Sequence, residues 1–341
     1  MEQIASDMPS NAKTDFPPKL YLFMRAEYLA SVLINDEIKV CLPQDCNDIM
    51  ELYSSRQAES QDLSRDRFKY ITSPKLKKQL YSIGFVCLSQ DCQTPTMWSH
   101  YADKHRGVCL EFDFPVKDQS QVEKRGYGSN VINLDIDSKY IGQYQFESNG
   151  KVMPPVMMKV NYRPFLPHTP ITLAGKCSKN NKCTKYRFRS ICATKGCEWS
   201  YEQEWRLIAN IYKCMAFHGN AYFLKGLTQY ITRVLLGAQC ALGVEETQVL
   251  IDETIGKGGR KSPRVEQVRY NSDLYRIDMK ENVAQGNPSE TAVWNLSISV
   301  PNPVYQKILE KIKQNTKNFT VERYIQKLIE ESITPSKKTN R

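Results

Sequence analysis

Apolar positions along the chain fall mostly into short blocks with a period of two, separated by polar runs. The block 20-LYLFMR-25 reads as a short buried strand. In 26-AEYLASVLIN-35 the spacing changes, and Leu29, Val32 and Leu33 share one face of a helix. A second strand is expected at 38-IKVCL-42. It runs into 43-PQDCNDIMELY-53, a turn that opens a helix with Asn47 or Asp48 as N-cap and Glu51 in its first turn. Residues 54–78 are highly charged and read as an exposed helical stretch. Further strands are expected at 83-IGFVCLS-89, 156-VMMKVNY-162, 204-EWRLIANIY-212 and 230-YITRVLLGA-238, the last entering a turn at Gly237. The run 107-GVCLEFDF-114 alternates as a half-buried strand does, and 264-RVEQVRY-270 with 274-LYRIDM-279 reads as a terminal hairpin. Residues 115–150 are polar, carry Gly126, Gly128 and Gly150, and read as an insertion with little regular structure. Strands dominate and helices cluster early, which gives an α+β class with a mixed or antiparallel sheet.

The pattern changes in kind after 281-ENVAQGNPSE-290, whose Gly, Asn, Pro and Ser mark a linker. The expected organisation is a leader at 1–18, a main domain at 19–280, a linker at 281–293, a small unit at 294–333 and a basic tail at 334–341. In the small unit, 295-NLSISV-300 alternates as one strand and Pro301 ends it. Val304, Ile308, Leu309 and Ile312 then fall at helical spacing, as do Tyr324, Ile325, Leu328 and Ile329 after an N-cap at Thr320. One strand and two short helices cannot bury a core alone, so the unit is expected to form a homodimer or higher oligomer. The order resembles the ribbon-helix-helix family of dimeric DNA-binding modules. That resemblance implies that Asn295, Ser297 and Ser299 point into a major groove while Leu296, Ile298 and Val300 face the core. Lys307 and the neighbouring lysines would then meet phosphates. A unit that only dimerises is the alternative.

Composition narrows the classes. The chain has 341 residues, 41% of them hydrophobic and 25% charged, as in ordinary globular proteins. Its longest apolar runs are far too short to cross a bilayer. The start has no basic region followed by an apolar one, so no secretory signal is expected, and the eleven cysteines read as reduced thiols of a cytoplasmic protein. A net charge of +10 favours an acidic partner, such as DNA, RNA or a nucleotide. Cys177, Cys183, Cys192 and Cys197 are spaced more widely than the usual separation of about two to four residues within a structural zinc pair. His100 and His105 lie five apart, with no H-E-x-x-H, so no metal site is expected. The stretch 255-IGKGGRK-261 lacks the spacing of a phosphate-binding P-loop.

Five segments, 20-LYLFMR-25, 47-NDIME-51, 87-CLSQDCQTPTMWSHYADKHRGVCLEFD-113, 194-TKGCEWSYEQEWRLI-208 and 234-VLLG-237, occur in an order that resembles a bacterial family of unknown function (domain of unknown function twenty-nine seventy-one). The opening strand, helix, second strand and Asn-Asp turn resemble the front of ADP-ribosyltransferase-like domains, which bind NAD in the cleft of a split mixed sheet. By that resemblance the late catalytic acid is Glu204 or Glu202, and the middle residues are Ser99, His100 and Tyr101. Residues two apart on a strand share a face, so both carboxylates are expected to look into one cleft. Tyr101 or Trp98 would stack on nicotinamide, and Arg25 or Arg206 would pair with the pyrophosphate. Tyr21, Asn47 and Asp48 complete the cofactor-binding positions. Where the family pattern has His or Arg on the first strand, this chain has Leu22, with Arg25 three residues on. The same residues also read as core aromatics and a structural Glu204–Arg206 pair. The expectation is an NAD-using transferase or glycohydrolase acting as an effector of the toxin or phage-defence type. The alternative is a non-enzymatic nucleic-acid-binding or regulatory dimer.

Overall fold

Alternation within the first strand sorts its side chains onto two faces of a sheet that both become buried. The structure is a computed structural model. It describes residues 17–279 apart from 54–65, 67, 70, 72–73, 117–130, 146, 149–150, 153–154, 168–187, 189, 257–260 and 272–273. The described residues all fall within one compact unit, which ends at Asn295. The expectations for most of the leader, the linker, the small unit with Asn295, Ser297, Ser299 and Lys307, and the basic tail lie outside the described residues, as do those for Cys177 and Cys183.

The strands are β1 Leu20–Met24, β2 Glu37–Lys39, β3 Ile83–Ser89, β4 Val108–Phe112, β5 Val131–Asn133, β6 Glu147–Ser148, β7 Lys151–Val152 and β8 Val156–Lys159. They continue as β9 Asn161–Tyr162, β10 Thr194–Lys195, β11 Glu204–Asn210, β12 Ala216–His218, β13 Ala221–Lys225, β14 Ile231–Leu236, β15 Arg264–Tyr270 and β16 Ile277–Met279. Among the described residues the complete helices are α1 Leu29–Asn35, α2 Pro74–Tyr81, α3 Pro95–Tyr101 and α4 Val244–Thr254. Nine strands form one sheet in the order β16-β15-β14-β4-β1-β3-β11-β8-β5. Its pairs are antiparallel except β14 with β15, so the class is α+β with a mostly antiparallel sheet.

One face carries the main core. Leu20, Leu88, Leu110, Trp205 and Val234 lie there under Leu29, Val32 and Leu33 of α1 and Ile251 of α4. The other face carries two smaller apolar clusters. One packs Phe85, Ile208 and Met158 against Leu76 and Leu80 of α2. The other packs Phe23, Cys109 and Leu235 against Met97 and Trp98 of α3. Between the two clusters the face turns polar. Residues paired in register sit side by side on one face, and here the pairs are Tyr21 with Ser89, Ser89 with Glu204, and Cys87 with Arg206. The sheet opens at the same place. β1 pairs with β4 over five residues but registers with β3 only at Tyr21 and Ser89 among the described residues.

Several local expectations change. Every residue of β4 is buried, not every second one, because both faces of the sheet are covered there. The strand expected at 38–42 ends at Lys39, since Cys41 leaves the three-stranded sheet β12-β13-β2 and bridges Phe85 of β3. Pro43–Asp45 is a 3-10 turn, and no helix follows it in the described residues 46–53. The Asp48 carboxylate accepts from the Met50 amide at 2.8 Å, and Leu52 takes φ 65, a left-handed conformation that stops a helix from propagating. α2 is amphipathic and not wholly exposed, with Leu76 and Leu80 buried. The 115–150 segment supplies β5, an edge strand with Val131 and Ile132 buried.

After α3 the chain reverses through Asp103, Lys104 and His105, with φ of 44, 54 and 67. The amides of Lys104 and His105 donate to Ser99 and Trp98 carbonyls at 3.2 Å, so a single left-handed turn caps α3 and delivers the chain to β4. Gly107 closes that turn in a place with no room for a side chain: a Cβ there would lie 2.2 Å from the Met24 carbonyl oxygen of β1. Gly107→Ala is therefore expected to lower stability by about 3 kcal/mol, the upper end of the usual overpacking cost, measured by urea denaturation. A midpoint equal to wild type would refute this close approach.

Candidate active site

The polar stretch of the sheet opens into a cavity of about 230 Å³. Tyr21–Phe23 of β1 line one side and Phe85–Ser89 of β3 the other, with Tyr101 above and Lys195, Glu202, Glu204 and Glu51 at one end. Its charged end is a buried ion cluster. Lys195 Nζ lies 2.6 Å from Glu202 Oε2, 3.4 Å from Glu204 Oε2 and 3.6 Å from Glu51 Oε2. The Arg206 guanidinium, fully buried, donates from Nε to Glu204 Oε1 at 2.8 Å, from Nη2 to Glu204 Oε2 at 3.0 Å and to Glu51, and from Nη1 to the Cys192 carbonyl at 2.7 Å. Its plane lies over the Phe85 ring, 5.2 Å from the centroid.

The convergence of Glu202 and Glu204 has a different cause from the expected strand alternation. Glu202 ends a 3-10 turn, Cys197–Glu202, and Glu204 begins β11. Gln203 between them takes φ 44, and this left-handed residue swings the two carboxylates onto one lysine. The turn is held from β3: Ser89 Oγ donates to the Glu202 carbonyl at 2.7 Å, and the Gln90 amide donates to the Gln203 carbonyl at 3.1 Å. The Glu204 amide donates to the Tyr162 hydroxyl at 2.8 Å.

Tyr101, the last residue of α3, donates its hydroxyl to Glu202 Oε1, and Asn47 Nδ2 reaches the same hydroxyl at 3.5 Å. The structure thus brings Tyr101, Glu202, Glu204, Asn47 and Tyr21 to one cavity. Tyr21 also donates to Glu111 Oε2 at 3.3 Å, beside Arg233. The other expected positions do not line it. Trp98 is a core residue, its Nε1 donating to the Cys92 carbonyl at 2.6 Å and its ring edge-on to Phe23. Ser99 and His100 are exposed, with His100 Nδ1 3.1 Å from the Tyr201 hydroxyl. Arg25 pairs with Glu27 at 3.1 Å on the surface. Asp48 serves its own turn, and Arg206 is engaged inside the ion cluster.

Lys195 and Glu51 are the residues that sequence reasoning missed. Lys195 sits two residues before Cys197 in a basic stretch where every lysine looks alike, and Glu51 read as a helix-start acid. A lone lysine closing an apolar run, 191-ICATK-195, next to the paired acids was the available signal for the first.

Three carboxylates face two cations here, so one negative charge is in excess when all are ionised. Burial pushes the Glu204 carboxyl up to about 7 against the opposing pull of Lys195. Burial alone would depress the Lys195 ammonium, but Glu204 and Glu202 outweigh it and hold its pKa above the ordinary value. Burial and then the Glu202 contact raise the Tyr101 phenol, which keeps it a proton donor. Among the described residues no group of three or more His, Cys, Asp or Glu is arranged to hold a metal, and no helix is long and apolar enough to cross a membrane.

Residues 97–207 match a protein family described as "Protein of unknown function (DUF2971)". The match runs from the Met97-Trp98-Ser99-His100-Tyr101 block through the Tyr201-to-Arg206 block, which lie in two of the five segments that carried the resemblance in the sequence. No curated protein matches the chain. A solved structure titled "Thermus sp. 2.9 DarT in complex with ADP-ribosylated ssDNA" is similar over 73% of this chain and 93% of that one, with 11% identity and a TM-score of 0.26. A likeness that slight carries no inference here.

The raised Glu204 pKa has a consequence for stability. The native state holds a proton there that the unfolded chain, with an ordinary carboxylate, releases at lower pH. Stability is therefore lost as pH rises from about 4.3, the ordinary Glu value, towards about 7, and changes no further above that. Relative to Glu204→Gln, wild type is expected to lose stability across this window in urea titrations at stepped pH. A difference that is flat or rises across the window would contradict the assignment.

Proposed function

We propose that the cavity is the site of an NAD-dependent ADP-ribosyltransferase-like enzyme, with Glu202 as its catalytic carboxylate and Tyr101 as the partner that positions it. The observation that carries this reading is the hydrogen bond between the Tyr101 hydroxyl and Glu202 inside a cavity set in the opening of the sheet. The choice of Glu202 over Glu204 follows from what each carboxylate is doing. Glu204 has both oxygens on Arg206 and a contact to Lys195, so its charge is spent inside the protein. Glu202 meets Lys195 through one oxygen and presents the other to Tyr101 and the cavity.

The size of the cavity agrees with one end of a dinucleotide. Pockets for drug-sized ligands run from about 300 to 1,000 Å³, and about 230 Å³ takes the nicotinamide ring with its ribose, the remainder lying across the mouth. A cationic ring is drawn to the oxygen of Glu202 that faces Tyr101 and the cavity. In the transfer, the bond between nicotinamide nitrogen and ribose carbon breaks and its electron pair leaves with nicotinamide. The ribose carbon gains positive charge, which the Glu202 carboxylate stabilises. An acceptor oxygen or nitrogen, or water, bonds to that carbon and passes its proton to Glu202. Lys195 pairs with one oxygen of Glu202, and Tyr101 fixes the direction of the other. Arg206 and Glu51 hold Glu204 and Lys195 in place.

An effector role of the toxin or phage-defence type, and dimerisation or DNA contact through residues 294–333, belong to the same proposal on the sequence pattern. The test is nicotinamide release from NAD by the purified full-length protein, with and without added DNA, RNA or protein acceptors. Glu202→Gln is expected to lower turnover by about 100-fold or more, the usual worth of a general acid–base group, and Tyr101→Phe by a smaller factor. Absence of both NAD binding and turnover in wild type would sink the reading. Full turnover in Glu202→Gln would move the catalytic role elsewhere.

A further inference from the structure

Two thiols at the cavity play no part in the reaction proposed above. Cys41 and Cys46 bracket the 3-10 turn Pro43–Asp45, and both line the cavity. Both sulfurs approach one atom, the Leu42 carbonyl oxygen, at 3.6 and 3.8 Å. Their mutual proximity shifts the two thiols' pKa values in opposite directions. We propose that Cys41 and Cys46 form a dithiol that hydrogen peroxide closes to a disulfide, and that this closure changes the cavity beside Tyr101 and Glu202.

The backbone favours this pair. Cys41 is fixed, since it exchanges two 2.8 Å hydrogen bonds with Phe85 of β3. Cys46 ends a short turn, and its neighbour Asn47 reaches the Tyr101 hydroxyl at 3.5 Å. Drawing Cys46 onto Cys41 therefore moves Asn47 against Tyr101. The proximity of Cys46 lowers the Cys41 thiol pKa, while the same proximity and burial raise that of Cys46, which makes Cys41 the first nucleophile. Cys87 stands across the cavity on β3, hydrogen-bonded to Glu204 and held protonated by burial.

The chemistry balances. The Cys41 sulfur attacks one peroxide oxygen, the O–O bond breaks, and the departing hydroxide takes the Cys41 proton as water. Cys41 is then a sulfenic acid. The Cys46 sulfur attacks the Cys41 sulfur, the S–O bond breaks, and hydroxide leaves with the Cys46 proton as a second water. Two thiols lose two electrons and two protons, and the peroxide is reduced to two waters.

The bond itself does not depend on the proposed activity, but its effect on the cavity rests on the NAD reading. Full-length protein is treated with hydrogen peroxide, its remaining thiols are alkylated, and peptides are mapped by mass spectrometry in wild type and in Cys87→Ser. The expected result in both is a peptide with Cys41 and Cys46 linked and two hydrogens lighter, restored by dithiothreitol. Unchanged alkylation of both thiols, a sulfinic acid at Cys41, or a bond from either cysteine to Cys87 would overturn the proposal. NAD binding to reduced and oxidised protein is then compared, with at least tenfold weaker binding expected after oxidation. Equal binding in the two forms would overturn the effect on the cavity. If reduced wild type binds no NAD, the functional reading fails while the mapped disulfide still decides the thiol chemistry.

Discussion

The structure depends on one buried arrangement of charge, in which Lys195 and Arg206 hold Glu51, Glu202 and Glu204 together beneath the opening of the sheet. Taking five charges out of water is unfavourable, and their mutual attraction repays it only where geometry and hydrogen bonds are good. Here the Arg206 nitrogens have carboxylate or carbonyl partners and Lys195 is within reach of all three acids. Apolar residues of the same volume would fill this space at least as stably. A cluster that fold stability alone does not require is better explained by what it presents, namely a carboxylate aimed at a cavity.

The cluster also explains why distant segments must meet. Glu51 comes from a loop, Lys195 from a two-residue strand, Glu202 from a 3-10 turn and Arg206 from the sheet. None of these elements is stabilised by its own local pattern, as a long amphipathic helix would be. Two devices place the working groups: the left-handed Gln203 joins the acids, and the left-handed turn at Asp103–Lys104–His105 follows α3 so that the helix ends at Tyr101. Left-handed positions without glycine cost about 1–3 kcal/mol each and persist where the surroundings fix them.

Elements whose apolar period was strong were legible in the sequence. β1, β3, β14, the β15–β16 hairpin and α1 lie close to where the pattern put them. Burial on both faces hid the nature of β4, because a fully covered strand tolerates a paired Glu111 where alternation suggests a solvent-facing acid. At the site, the Tyr-Glu-x-Glu-Trp-Arg block pointed to the right segment. It could not reveal that Gln203 is left-handed, that Trp98 turns into the core, or that Arg206 faces Glu51 from 155 residues away. Those are tertiary facts with no local spacing. Lys195 left only a faint mark, as the lone lysine that closes 191-ICATK-195, and the three acids around it are brought there by the fold.

The single register pair between β1 and β3 divides the sheet into two blocks, β16-β15-β14-β4-β1 and β3-β11-β8-β5. Every other seam of the sheet is joined through three or more residue pairs. Bending the sheet therefore breaks least at Tyr21 and Ser89, the two residues that border the cavity. The cavity and the most sparsely paired seam of the sheet therefore coincide, so anything seated in the cavity touches both blocks.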